Sequence, residues 1–346
     1  MITVNNIDFN YRNKVFTIIF AGILLFFTVI FSICAGVYNI PPFEVFNVIK
    51  YHILGNGGVS HEIYNTIVWD IRIPRILTGM LIGMALATSG ATYQGVFRNP
   101  LVSPFILGVS SGAAFGAALS IIFPVPYSVQ ISAFLFGMVA VFCAYSLAKV
   151  RGKTPLVTLL LAGVILGSLF NALVSIFQYI ANEAQLKAIV FWLMGGLYNI
   201  GWAQFYTIML LIPLGIILLM RYSWKLNILS LGDEEAKSLG INSERLKIIL
   251  IIIATFITSI SISVAGIIGW VGLMIPHASR LIVGPDHRFL LPLSAIMGGI
   301  FLILCDTIAR TITTGEVPLG IVTSILGAPY LVYLLRSKKT QFFGGD

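Results

Sequence analysis

Residues able to carry chemistry are few in this sequence, and their spacing limits what they can do. Histidines stand at positions 52, 61, 277 and 287 and cysteines at 34, 143 and 305. No two histidines hold the short helical spacing by which ligands converge on a metal. Each cysteine lies inside an apolar run, where a thiol behaves as a small hydrophobe. No metal centre is expected. Gly152-Lys153-Thr154 ends like a phosphate-binding loop, but the position that should open such a loop is Leu147, so the motif is absent. The sequence contains neither a Gly-x-Ser-x-Gly elbow nor a His-Glu-x-x-His helix, and no reaction is expected of the chain itself.

Guanidinium chemistry is better represented. Arg72-Ile-Pro-Arg75 follows Asp70, and two forked cations at a proline-fixed helix start can hold carboxylates of another protein or an anionic ligand. The competing reading is a pair of arginines anchored at a membrane surface. Asp306 and Arg310 are four apart and share a helix face as an ion pair. Arg310 is expected beside Arg72 and Arg75 at one mouth, with Glu316 countering the cluster. His277 and Arg280 follow Pro276, and His287-Arg288 follow Gly284-Pro285-Asp286; a hydrogen-bonded loop clasp suits them better than metal ligation. Asn99-Pro100 and Pro276-His277 are expected to break helices, leaving backbone groups that protein or a wet cavity must satisfy.

The elements that position these groups follow from composition. Of 346 residues, 58% are hydrophobic and 10% charged, with a mean hydropathy of +0.97; a soluble domain carries roughly 25% charged residues. That excludes a soluble globular fold and a disordered chain and implies an all-α polytopic membrane protein. Ten apolar segments emerge, near 15–37, 73–96, 102–123, 127–148, 156–180, 203–220, 248–268, 270–283, 289–309 and 317–335, the first read as a retained span. With both termini inside, 16 of the 21 basic residues lie on the cytoplasmic side, which favours an N-in, C-in topology. The exceptions are Lys50, Arg72, Arg75, Lys187 and Arg310.

The chain reads as a single domain of two halves, about 1–200 and 201–346, with one sizeable polar insertion, about 221–247, inside the second. Gly232 and Gly240 bracket a short amphipathic helix opened by Asp233, Glu234 and Glu235, with Ala236 and Leu239 on its apolar side. A second short helix is expected after Asn242 or Ser243. The insertion is either a surface connector or a docking surface for a soluble partner. Glycine and proline stand ten apart at Gly90 and Pro100 and again at Gly266 and Pro276, which suggests a weak inverted repeat.

Taken together, Arg72-Ile-Pro-Arg-Ile-Leu, Ser89-Gly-Ala-Thr-Tyr-Gln-Gly-Val-Phe-Arg-Asn-Pro-Leu, Leu107-Gly-Val-Ser-Ser-Gly-Ala, Leu231-Gly-Asp-Glu-Glu-Ala-Lys-Ser-Leu-Gly, Gly272-Leu-Met-Ile-Pro-His-Ala-Ser-Arg, Asp286-His-Arg-Phe-Leu-Leu-Pro and Gly327-Ala-Pro carry a resemblance. The chain resembles the ten-helix permeases of binding-protein-dependent ABC importers for ferric siderophores, haem and cobalamin, the type II importer fold. The resemblance implies a second permease subunit, identical or paired, in the cytoplasmic membrane. It implies ABC ATPase subunits below, which hold ATP and Mg, and an extracytoplasmic substrate-binding protein above. No cofactor of its own and no nucleic-acid partner are implied. By the same resemblance Arg72, Arg75 and Arg310 face acidic residues of the binding protein, and Gly232 through Gly240 form the helix that couples to the ATPase. Thr154 and Pro155, in Lys153-Thr-Pro-Leu, belong to a cytoplasmic gate, to which Asn99, Pro100, Pro276, His277 and Arg280 are added as hinge positions. Ferric siderophore is the expected cargo; haem, cobalamin and molybdate are the alternatives within the class, and an ion-coupled secondary carrier is the alternative outside it.

Overall fold

A chain this apolar can hide its backbone polar groups from lipid only by pairing them internally, and helices do so within a single segment. Every regular element among the described residues is helical. The structure is a computed structural model and describes residues 4–55, 62–123, 128–149, 154–313 and 315–336. His61, Lys153 and the basic residues Lys338 and Lys339 therefore lie outside the described residues.

The order is α1 (Val4–Cys34), α2 (Pro42–Leu54), α3 (Glu62–Asn65), a π-helical turn (Thr66–Arg72) running directly into α4 (Ile73–Phe97), α5 (Val109–Ile122), α6 (Val129–Ala148), α7 (Leu156–Ile180) and α8 (Glu183–Met194). Then come α9 (Trp202–Ile208), α10 (Leu211–Arg221), α11 (Ser223–Leu231), α12 (Asp233–Ser238), α13 (Ser243–Ala265), α14 (Val271–Val283), α15 (His287–Thr311) and α16 (Leu319–Arg336). Among the described residues, seven helical stretches are long and apolar enough to cross a bilayer. Three shorter apolar helices, Val109–Ile122, Val271–Val283 and Leu319–Tyr333, occupy the remaining three expected segments.

The departures from the sequence reading have local causes. The segment expected from 102 becomes helical only at Val109, after turns that close on Gly108 at φ 82°. The segment 203–220 is split at Met209-Leu210, because Pro213 cannot donate to the Met209 carbonyl. Asn242 opens no separate short helix: its side chain accepts from the Arg245 N–H at 3.0 Å and caps α13 itself. Helix α8, unforeseen, is opened by a reciprocal capping box of Asn182 and Gln185. Pro276 does not break α14, which continues through it. The glycine–proline echo also fails locally: Gly90 lies mid-helix and Pro100 beyond its end, whereas Gly266 ends α13 and Pro276 lies inside α14.

Helix α4 is the axis of the bundle, buried along nearly its whole length and packed on α13, α14 and α15. Small residues permit this closeness. Gly83 and Gly298 meet backbone to backbone where α4 crosses α15, and Gly90 lies against the Gly272 carbonyl of α14. That carbonyl lacks an i+4 donor because its partner is Pro276, so the crossing fills the space a donor would take. Polar contacts hold α13 in place: Tyr93 Oη and Thr255 Oγ1 are 2.6 Å apart, and Ser89 Oγ donates to the Ala254 carbonyl at 3.1 Å.

A branched side chain at the α4–α14 crossing must push two backbones apart, a cost of about 1–3 kcal/mol or more. Gly90→Val is expected to lower the unfolding temperature of the detergent-solubilised protein by several degrees. Gly22→Ala, where nothing lies within 4 Å of an added Cβ, is expected to leave it unchanged. Equal unfolding temperatures for the two variants would refute this packing.

Candidate functional site

Helix α1 stops at Cys34, and its last carbonyls lack partners within the helix. Two arginines from other helices supply them. Arg72 Nη1 donates to the Ile33 and Cys34 carbonyls at 2.8 and 3.2 Å, and its Nη2 to the Tyr38 carbonyl at 2.6 Å. Arg310 Nη1 donates to the Ala35 carbonyl at 2.6 Å, and its Nη2 to the Ser32 carbonyl and, at 2.9 Å, to Ser32 Oγ. Cations are favoured at a helix C-terminus for this reason. A side chain at position 36 would run into the Arg72 guanidinium, so Gly36 keeps the passage open.

Arg75 faces the other way. Its Nε and Nη2 donate to Asp306 Oδ1 at 3.0 and 2.8 Å, and its Nη1 to Glu316 Oε1 at 2.7 Å. Arg310 Nε lies 3.5 Å from Asp306 Oδ2, the expected i, i+4 pair. The three arginines thus converge as read from the sequence, with Glu316 countering them. They do not present open forks to the outside: Arg72, Arg75 and Arg310 are 5%, 5% and 8% exposed, and Asp306 is 1% exposed. Glu316 alone of the two acids reaches solvent, its side chain 40% exposed.

About 37 Å away along the 25 residues of α4, a second charged cluster gathers. Arg98 ends α4 in the left-handed region at φ 52°, and its Nη2 lies 3.3 Å from Asp233 Oδ1 on α12. Lys247, 4% exposed, donates to Asp233 Oδ2 at 2.7 Å and to Glu244 Oε1 at 3.3 Å. Glu244 Oε2 accepts from the Thr154 N–H at 3.0 Å, just before Pro155 opens α7. One buried ammonium therefore ties α12 to α13 and, through its two acids, to the end of α4 and the start of α7. Gly232 (φ 159°) and Gly240 (φ 74°) bound α12 as read from the sequence. Ala236 is buried, whereas Glu234, Glu235, Lys237 and Leu239 are exposed.

The hinge positions collect around the same end. Asn99 caps the turn after α4 by accepting from the Leu101 N–H at 2.9 Å, beside Pro100. Arg280 Nη2 donates to Gln94 Oε1 at 3.0 Å, while Pro276 and His277 lie about one turn deeper in α14, both buried. Nearby, Asn227 Nδ2 donates to Asp286 Oδ1 at 2.7 Å, and Asn227 Oδ1 accepts from the His287 N–H at 2.8 Å. Partial burial alone would raise the Asp286 carboxyl; hydrogen bonds from Arg288 and Asn227 overcome that and hold it at about 2. The sequence reading expected a hydrogen-bonded loop clasp at His287-Arg288, without naming Asp286 as its acceptor, and missed Lys247, Glu244, Arg98 and Gln94. Lys247 carried a signal: a lysine between Leu246 and Ile248, three residues after an acid, at the mouth of an apolar run.

Between the two ends the chain is broken. Helix α13 stops at Ala265, and α14 restarts after Gly266 and Trp270 at φ 68° and 71°. Other segments satisfy the loose backbone: the Gly196 N–H donates to the Ala265 carbonyl at 2.8 Å, and the Leu319 N–H to the Gly195 carbonyl at 2.9 Å. Trp270, strained for a bulky residue, donates Nε1–H to Ser324 Oγ at 3.1 Å and lays its ring on Gly327 of α16. A cavity of about 330 Å³ opens on the break from Tyr198, Asn199, Gln204 and Ser263, and another of about 470 Å³ from Met194, Ile267, Gly320 and Ser324. The irregular backbone therefore lines open space.

Comparison with known proteins bears on this architecture. Residues 24–337 match the FecCD transport family. An ABC transporter permease protein of Methanocaldococcus jannaschii is 40% identical over 95% of this chain and 98% of its own. The molybdate import permease of Haemophilus influenzae is 37% identical over 91% and 94%. Further relatives are named as permeases for cobalamin, hemin and iron(3+)-hydroxamate. A solved structure described as an inward-facing metal-chelate type ABC transporter superposes with a TM-score of 0.82 at 35% identity, over 92% of this chain and 98% of that one. With helices, break and charged ends in place along a match of this extent, the chain belongs to the FecCD family of multi-pass ABC importer permeases.

Proposed function

We propose that this permease carries a ferric siderophore across the cytoplasmic membrane, as one of two permease subunits, using ATP and Mg held by partner ATPase subunits. The observation that carries the ATPase side is the construction of α12. Its base is fixed by buried Ala236 and the Asp233–Lys247 pair, while Leu231, the last residue of α11, and Leu239, just past the end of α12, flank Glu234 and Glu235 at 69% and 61% exposure. A short rigid helix with an apolar and acidic tip suits a groove on a soluble partner. The same end gathers Arg98, Lys237, Arg245 and Lys247, which supports placing it, and both termini, in the cytoplasm. Thr154, Pro155, Asn99 and Pro100 then form the gate, with Pro276, His277 and Arg280 behind it.

The arginine end becomes the extracytoplasmic mouth, where Arg72, Arg75 and Arg310 serve a substrate-binding protein. Specificity is delegated to that protein, so the passage between subunits needs only to be wide and weakly binding. The iron(3+)-hydroxamate relative and the metal-chelate type structure support an iron chelate as cargo; the cobalamin, hemin and molybdate relatives define the alternatives.

Two measurements test this reading. Reconstituted in liposomes with its ATPase and binding protein, the chain is expected to take up labelled ferric hydroxamate only with ATP. Leu239→Glu is expected to cut that uptake at least tenfold without changing the unfolding temperature. Uptake without ATP would overturn the importer reading, and ATP-dependent uptake of cyanocobalamin, haem or molybdate instead would reassign the cargo. Arg72→Met strips donors from three carbonyls of α1 and its exit, about 1–3 kcal/mol for each group left buried and unpaired. It is expected to lower the unfolding temperature even in the isolated permease, which an arginine acting solely in docking does not do.

A further inference from the structure

We infer that Glu316 is an internal stand-in for an acidic side chain of the binding protein, and that its displacement from Arg75 is the event that frees α16 to move at the helix break. This rests on the docking role proposed for the arginine end. Arg75 is held by two acids of unlike character. Asp306 is 1% exposed and grips Nε and Nη2, whereas Glu316, its side chain 40% exposed, takes Nη1 alone. Among the described residues, Arg72 donates solely to backbone carbonyls. The cluster thus sets three guanidiniums against two carboxylates. Losing Glu316 leaves two unmatched charges beside solvent, and an arriving carboxylate restores the balance on the same Nη1. Exchange of one carboxylate for another preserves the ion pair, so it avoids the full penalty of exposing an unpaired buried arginine.

Glu316 is also placed to transmit its own departure. It lies in the non-helical connector between α15 and α16, where Ile312, Thr313 and Gly315 are exposed and nothing crowds Gly315. The connector is held inward by Val317 N–H on the Ala309 carbonyl at 3.1 Å. Three residues after Glu316, the Leu319 N–H binds the Gly195 carbonyl, and Gly320 packs on the Met194 carbonyl. One turn further, Ser324 holds Trp270 of the break. Drawing residues 316–318 outward therefore pulls on the contacts that hold the break.

The test uses the assembled permease and ATPase in nanodiscs, titrated with the binding protein of the same importer. Glu316→Gln is expected to tighten binding five- to twentyfold and to raise ATP hydrolysis measured without binding protein several-fold. Glu316→Asp is expected to stay near wild type on both counts. Unchanged or weaker binding by Glu316→Gln, in a complex whose unfolding temperature matches wild type, would overturn the exchange alone. A wild-type complex that fails to bind the protein, or binds it equally well at high and low salt, would overturn the docking reading and this inference with it.

Discussion

A helix end buried inside a protein must find partners for carbonyls that water would otherwise satisfy, and much of this molecule is arranged around two places where that requirement is hard to meet. At the end of α1 the solution is cationic: Arg72 and Arg310 reach from the turn before α4 and from α15 to hydrogen-bond the carbonyls of Ser32, Ile33, Cys34 and Ala35. The capping fixes three helices to one another. It also brings Arg75, Asp306 and Glu316 together, because Arg75 follows Arg72 by one helical turn and Asp306 precedes Arg310 by one. At the α13–α14 break the solution is neutral: the Gly196 amide closes the gap at Ala265, and the Leu319 amide holds the neighbouring Gly195 carbonyl. A cationic cap binds its neighbours tightly; an amide-closed break with two positive-φ residues exchanges its bonds at lower cost. The first suits an anchor and the second a hinge.

Between these two solutions runs α4. Its glycines let α14 and α15 approach to backbone contact, and a contact of that kind leaves little room for independent sliding. Arg75 near its start and Arg98 at its end are therefore carried on one stiff rod. Movement at α12, which reaches α4 through the Arg98–Asp233 pair and α7 through Glu244 and Thr154, meets a body that responds as a unit. The break is where a rocking motion can be absorbed, as expected of element-terminal hinges.

What could be read in the sequence follows this physical division. Long apolar segments bounded by charge were legible because membrane insertion imposes them directly: 156–180 matches α7 end for end, and 271–283 and 287–311 lie within two residues of the reading. Segments governed by a single proline or cap were less so. Pro276 looked like a break but is carried inside α14, since the freed Gly272 carbonyl lies against Gly90 of another helix. Gly90 and Pro100 shared a spacing with Gly266 and Pro276 without sharing a context. At the sites, residue types showed which groups were exceptional but not which way they faced. Arg72, Arg75 and Arg310 stood out because each charge in or near a span is costly; that they turn inward depends on partners distant in the chain, Asp306 lying 231 positions from Arg75 and Ala35 275 from Arg310, which no local reading detects. Lys247 went unread for a similar reason, since its partner Asp233 lies fourteen residues away on a different helix.

The same cost argument explains why the two charged clusters are built so differently from their surroundings. In a largely apolar bundle, a charge survives only where it is paired or where it answers a backbone dipole, and each cluster here uses both devices. Lys247 is buried against two acids at the start of α13, and Arg75 against Asp306 at the end of α15. In each case one acid is sheltered or held by the cluster and another is partly open to solvent: Glu316 at one end, Asp233 at the other, with side chains 40% and 42% exposed. Removing a sheltered acid leaves a buried charge uncompensated, which is strongly destabilising. Replacing an open one with an equivalent carboxylate is nearly neutral. At each end, then, a sheltered charge is joined to an acid at the solvent edge, and the buried ion pairs hold the fold together.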